Sequence, residues 1–167
     1  MFEEYKRFIN PDLFFRPFGD HGVGHTKRVL YLSMQLADKY HLSYKNKRLL
    51  TLACCYHDIG RDNDWTDDEH GKKSADKFLK LNLNNKHHIS GDELELVLDL
   101  IVFHSLDDDL WSRDGDARLM YQILKDADAL DRLRFNDLDT KYLRLPESKD
   151  MIDLEFSLLK ADGVIRY

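Results

Sequence analysis

Apolar positions recur every three or four residues through most of the chain, and strand-like alternation is scarce. Val29, Leu32, Leu36 and Tyr40 form one such stripe and predict a helix over Gly24 to Tyr40. His25, four before Val29, falls on the same stripe and therefore faces inward. Ser43 can cap a second helix, from Tyr44 to His57. Its stretch Leu49 to Cys55 reads as buried, and Leu50, Ala53 and Cys54 share a face with His57. Gly60 then reads as a helix stop.

A short helix over Asp68 to Leu81 places Ser74 and Phe78 below His70, and Asn82 to Gly91 reads as an Asn-rich connection. Leu94, Val97, Leu98 and Ile101 mark a helix opened by Ser90 or Asp92 and ending near His104, which continues the stripe. The next helix spans Asp116 to Arg134 on an arc of Met120, Leu124, Ala127 and Leu130. Asp126 and Asp128 flank that arc on opposite sides, and periodicity does not decide which reaches the interior. A last amphipathic helix is expected around Lys149 to Lys160. The pattern predicts an all-α, single-domain helical bundle with irregular loops at one end.

Length and composition narrow the function. A chain of 167 residues suits one domain, 1–167, and 34% charged with 43% hydrophobic residues is a globular composition. A net charge of −6 argues against stable nucleic-acid binding, which needs a basic face, but not against a small phosphorylated ligand. Adjacent Cys54 and Cys55 inside an apolar run read as small buried hydrophobes, not as a disulfide or zinc knuckle. Met1 to Phe8 carries Glu3, Glu4, Lys6 and Arg7 and is no signal peptide, and no apolar run approaches the ~18 residues of a membrane span. A cytoplasmic location without a membrane partner is expected.

Against this background His57-Asp58, at the end of an apolar helix, stands out. Burying such polar groups unpaired costs roughly 2–7 kcal/mol each, and a divalent cation removes that cost. Two further helices bring an inward histidine near an end, His25 and His104, and another begins at His70. A single inward histidine is ordinarily a hydrogen-bonded core residue; four of them, with acidic Asp126, Asp128 and Asp131, call for a common explanation. Mixed nitrogen and oxygen ligands around an open position suit a hydrolytic metal site. His21 reads as a surface-loop residue, His41, His87 and His88 as solvated, and Asp107-Asp108-Asp109 as a solvated loop.

The ordered set His25, His57-Asp58 and Asp128 resembles the H…HD…D motif of the HD-domain metal-dependent phosphohydrolase superfamily. The surrounding text is similar too: Gly24-His25-Thr26-Lys27-Arg28-Val29, His57-Asp58-Ile59-Gly60, His70-Gly71 with Ser74-Ala75, His104-Ser105, and Lys125 through Asp131. The likeness covers about Gly24 to Arg134, leaving 135–167 as a helical extension, and is greatest to small stand-alone bacterial members acting on nucleotides.

The resemblance implies His25, His57, Asp58 and Asp128 as ligands of a divalent ion (Mn, Fe, Co, Ni, Mg or Zn), with Asp126 as the alternative to Asp128 and Asp131 as a buried partner of an arginine or of the ligands. It implies Asp58 as base, with His70 and His104 either as proton donors or as ligands of a second ion; one ion is the expectation. Arg28, Arg61, Lys72 and Lys125 are then candidates for phosphate oxygens. The expected reaction is hydrolysis of a phosphate monoester or pyrophosphate bond of a nucleotide or related small phosphorylated metabolite. The alternatives are a binuclear phosphodiesterase for a cyclic or dinucleotide, and a metal-stabilised nucleotide-binding module without turnover.

Overall fold

The computed structural model describes residues 1–164, and the last three positions of the expected extension, 165–167, lie outside the described residues. Among the described residues the chain is all-α, with no strand. Its helices are α1 (Phe2–Tyr5), α2 (Val23–Lys39), α3 (Tyr44–Tyr56), α4 (His70–Lys80), α5 (Leu83–Lys86), α6 (Gly91–Phe103), α7 (Asp116–Leu130), α8 (Pro146–Lys149) and α9 (Ile152–Ala161). None is long and apolar enough to cross a membrane.

Helix α3 lies at the centre. Every side chain from Leu49 to Tyr56 is buried, the two free cysteines included, as an all-round apolar helix requires. Ser43 caps it, its hydroxyl accepting from Asn46 N at 3.2 Å. Helices α2 and α6 pack on α3, α7 packs on α2, and α4 packs on α6. Fully buried leucines, including Leu30, Leu32, Leu36, Leu50 and Leu100, fill the space between them; each such burial is worth about 1.5–3 kcal/mol.

Several connections differ from expectation. The Asn-rich stretch contains α5, and the expected helix to Arg134 tightens into a 3-10 turn over Asp131–Phe135. Ser90 precedes α6 without a side-chain cap. Gly60 is not a left-handed helix stop. It is required because a Cβ there would lie 2.1 Å from Ser74 N, so the turn after His57-Asp58 rests against the backbone of α4. Gly71 does the same on the other side of α4, where a Cβ would lie 2.5 Å from Val102 O and 2.8 Å from Ile101 O of α6. Two missing side chains thus let the α4 backbone approach both neighbours.

His87 is a second departure. It is buried, not solvated: its Nε2 lies 2.7 Å from the Tyr56 hydroxyl and its ring meets the edge of Phe8. His41 and His88 are exposed, as expected, both with left-handed backbone.

Candidate metal centre

The polar residues inside this apolar bundle collect at one end. The tight turn before α2, where a Cβ on Gly22 would lie 2.3 Å from Pro17 O, sets His25 in the helix's first turn. His57 and His104 terminate α3 and α6, and His70 opens α4. Asp128 sits in the last turn of α7. These four element ends, with the start of α4, converge on Asp58.

The two oxygens of Asp58 face different partners. Oδ2 lies 3.4 Å from His25 Nε2 and 3.6 Å from His57 Nε2. Oδ1 lies 3.2 Å from His70 Nε2 and 3.6 Å from His104 Nε2. Asp128 Oδ1 completes the first half, 3.2 Å from His25 Nε2 and 4.0 Å from His57 Nε2. Two candidate metal-holding triads result, His25, His57 and Asp128, and His57, Asp58 and His104. His25, His57, Asp58, His70 and His104 are buried, whereas the Asp128 side chain is 35% exposed and opens the cluster to the outside.

The other ring nitrogens fix the tautomers. His57 Nδ1 donates to Cys54 O at 2.8 Å and His104 Nδ1 to Ile101 O at 2.6 Å, and His70 Nδ1 donates to Asp67 O. His25 Nδ1 lies 2.5 Å from Asp131 Oδ2. A carbonyl or carboxylate only accepts, so each Nδ1 carries a hydrogen, and each Nε2 of a neutral ring turns its lone pair inward. Those lone pairs meet head-on: His25 and His57 Nε2 are 3.2 Å apart, and His70 and His104 Nε2 are 2.9 Å apart. Facing lone pairs repel unless a positive charge lies between them. Ligand bonds of about 2.0–2.2 Å put neighbouring ligand atoms roughly 3 Å apart, so the spacing fits a cation in each half. The donor set and its second-layer partners are those of histidine–carboxylate metal sites.

The electrostatics agree. Burial works against charge on His25, but hydrogen bonds to Asp128, Asp131 and Asp58 outweigh it and hold its pKa up at about 10. Burial pulls His57 down to about 4. Asp58 and Asp128 stay well below the usual carboxylate range; burial opposes this, and the surrounding histidines overcome it. Without a metal ion, a proton on His25 serves as the positive charge of that half.

Asp126 and Asp128 separate cleanly. Asp126 is fully buried away from the cluster and accepts from Arg144 N and Leu145 N at 2.9 and 2.8 Å and from the Ser148 hydroxyl at 2.7 Å. It pins the segment leading into α8. Asp131 is fully buried behind His25, where it also accepts from Arg28 Nε at 2.5 Å and Arg134 Nη1 at 2.7 Å.

Most of the expected phosphate-binding cations are already engaged. Arg28 is buried and held by Asp131 and Asp162, the latter at 2.7 Å. Arg61 Nε donates to Asp58 Oδ1 at 2.9 Å, and its Nη2 lies 3.3 Å from His70 Nε2, so it orients the cluster instead of standing free. Lys125 is tied to Leu106 O, to the Tyr121 hydroxyl at 3.2 Å and to Asp108 at 2.8 Å, although it lines the adjoining cavity. Lys72 is exposed on α4 and lines neither cavity at the cluster. Asp108 also accepts from Arg144 Nε at 2.7 Å, so the acidic run is not simply solvated.

Two residues gain a place that spacing did not give them. His21 is half-buried, its ring 5.6 Å from that of His25 and its Nδ1 3.5 Å from Asp64, and it lines the mouth. Arg132 lines both cavities that open on the cluster, one of about 400 Å³ beside Arg61 and His70 and one of about 380 Å³ beside Lys125 and Tyr142. His104 and Asp128 are the other residues the two cavities share.

No curated protein and no solved structure matches the chain significantly. The family model described as HD domain matches residues 22–133, more than half of the chain and all of the convergent side chains. With that match and this cluster, the chain belongs to the HD-domain family, whose members are generally metal-dependent hydrolases.

Proposed function

We propose that this HD-domain protein is a phosphohydrolase that cleaves a phosphate monoester or pyrophosphate bond of a nucleotide or related small phosphorylated metabolite. The observation that carries the reading is the set of four inward Nε2 atoms divided between the two oxygens of Asp58. His25, His57, Asp58 and Asp128 would hold one divalent ion, which supplies Lewis acidity and lowers the pKa of water towards neutrality.

The chain's own residues do the rest. Asp131 and Cys54 O keep His25 and His57 in the ligand tautomer. Asp58, held ionised by its histidine neighbours and placed between the two histidine pairs, would accept the proton of the attacking water. The partial exposure of Asp128 leaves the substrate its approach. His104 borders both cavities and His70 one of them, and either Nε2, once it has taken up a proton, could pass it to a leaving oxygen.

A second reading has its own support. The 2.9 Å pair of His70 and His104 with Asp58 Oδ1 would hold a second ion, and the cluster opens into two cavities instead of one. A scissile phosphorus bearing a sizeable group on each side, as in a diester, fits that arrangement. In this form His70 and His104 are ligands and do not transfer protons.

One experiment tests both. The purified protein is stripped of metal and assayed with Mn, Co, Mg, Ni and Zn on nucleoside mono-, di- and triphosphates and on cyclic and linear dinucleotides. Release of phosphate or pyrophosphate supports the first reading, and release of a linear nucleotide or mononucleotides the second. Asp58→Ala should abolish turnover and metal uptake together; full activity in that variant dismisses the centre. Nucleotide binding without turnover under every metal would instead favour a binding module.

A further inference from the structure

We infer that Arg132 clamps the phosphoryl group being cleaved, a role that rests on the phosphohydrolase reading above. Of the four cations expected from the sequence to do this, Lys72 lines neither cavity and the other three are held elsewhere. Arg28 is buried on Asp131, Arg61 is bound to Asp58, and Lys125 meets three acceptors. Arg132 is placed differently. It borders both cavities, as His104 and Asp128 do, so among the described residues it is the one arginine or lysine common to their linings.

Its side chain is 55% exposed, and among the described residues its ion pair is with Asp137, itself 44% exposed. Such a surface pair is worth about 0–1 kcal/mol, little enough for a phosphate to displace. Local backbone explains the arrangement. Asp131, anchored behind His25, starts the 3-10 turn that carries Arg132, and Asn136, in left-handed conformation at φ 57°, reverses the chain so that Asp137 returns to it. The guanidinium is thus parked on a carboxylate that stands in for the substrate. Once transferred, its planar fork can take two phosphoryl oxygens at once and offset the charge that builds there during displacement.

The test uses the metal-loaded full chain and the best substrate from the panel. Arg132→Ala should lower kcat/KM by about a hundredfold, the order seen for loss of one charge-stabilising donor, with metal content unchanged. Arg132→Lys should recover part of the loss. Asp137→Asn, which weakens the parked pair, should lower KM, a gain that a purely structural ion pair would not give. Arg132→Ala within about threefold of wild type, while Asp58→Ala is inactive, overturns the clamp and leaves the hydrolase reading standing. If the wild type turns over nothing, pyrophosphate binding to the metal-loaded protein decides: weaker binding in Arg132→Ala keeps the clamp and drops the hydrolase, and equal binding drops both.

Discussion

His25 Nδ1 lies 2.5 Å from Asp131 Oδ2, and this contact, between residues more than a hundred positions apart, decides which nitrogen of His25 faces the cluster. Asp131 also neutralises Arg28 and Arg134, so it couples the ligand to two buried cations.

Asp131→Asn keeps the shape but removes the charge, and its amide nitrogen can no longer accept. Metal affinity should fall about 10–100-fold, the usual effect of losing a partner behind a ligand. Chelator competition on the folded variant measures it; unchanged affinity would show that Asp131 serves only the arginines.

The two aspartates two positions apart should respond in opposite ways. Asp126→Ala removes a fully buried acceptor of several hydrogen bonds and should cost roughly 3–5 kcal/mol of stability, as breaking a buried charged network does. The surviving folded protein should still take up metal. Asp128→Ala removes a partly exposed side chain, so thermal unfolding without metal should change little while metal uptake drops. Paired melting curves and elemental analysis would reveal a reversal of this pattern.

Elemental analysis of the wild type separates the two readings: one ion per chain, on His25, His57, Asp58 and Asp128, is expected for the phosphohydrolase, and two, the second between His70 and His104, for the diesterase. In the second case His104→Ala should reduce the count to one. A wild-type count that never exceeds one under excess metal would assign His70 and His104 to proton transfer.

Glu155 gives a pH signature. It is fully buried 3.6 Å from Arg28 Nε, and burial, then the Asp131 carboxylate, raises its pKa to about 9 from an ordinary 4.5. Between those values the folded protein keeps a proton that the unfolded chain has released. The stability tied to neutral Glu155 is therefore complete below about pH 4.5 and is lost as pH rises through about 9. Glu155→Gln should melt higher than wild type near the upper limit and equal it near the lower. Parallel curves across the whole range would mean that Glu155 is ionised in the fold.

Much of this was legible in the residue pattern. The stripes containing Val29, Leu50 and Ile101 gave α2, α3 and α6 within a residue or two, because burial of one face repeats at helical spacing. The same phase placed His25, His57 and His104 inside. Asp126 against Asp128 was not decidable, since both flank the apolar arc and only the chain returning through Arg144 to Ser148 shows what Asp126 serves. His87 was misjudged because its partners, Tyr56 and Phe8, come from other elements. The arginines and Lys125 were misjudged for a like reason: a cation's freedom depends on carboxylates distant in sequence. Arg132 sits in a 3-10 turn where helical phase no longer applies, so its position at the cleft had no signal in the spacing.

Gly71 stands against the carbonyls of Ile101 and Val102, and Ile101 O is also the acceptor that aims His104. One added methyl there would wedge α4 off α6 and drive the 70 and 104 rings apart, whereas α2 and α7, which carry the 25 and 128 side chains, pack on each other. The strain would fall first on the 70/104 half and reach the 25/57/128 half only through Asp58 and the turn at Gly60, so a single Gly-to-Ala replacement is a lever on one side of the centre before the other.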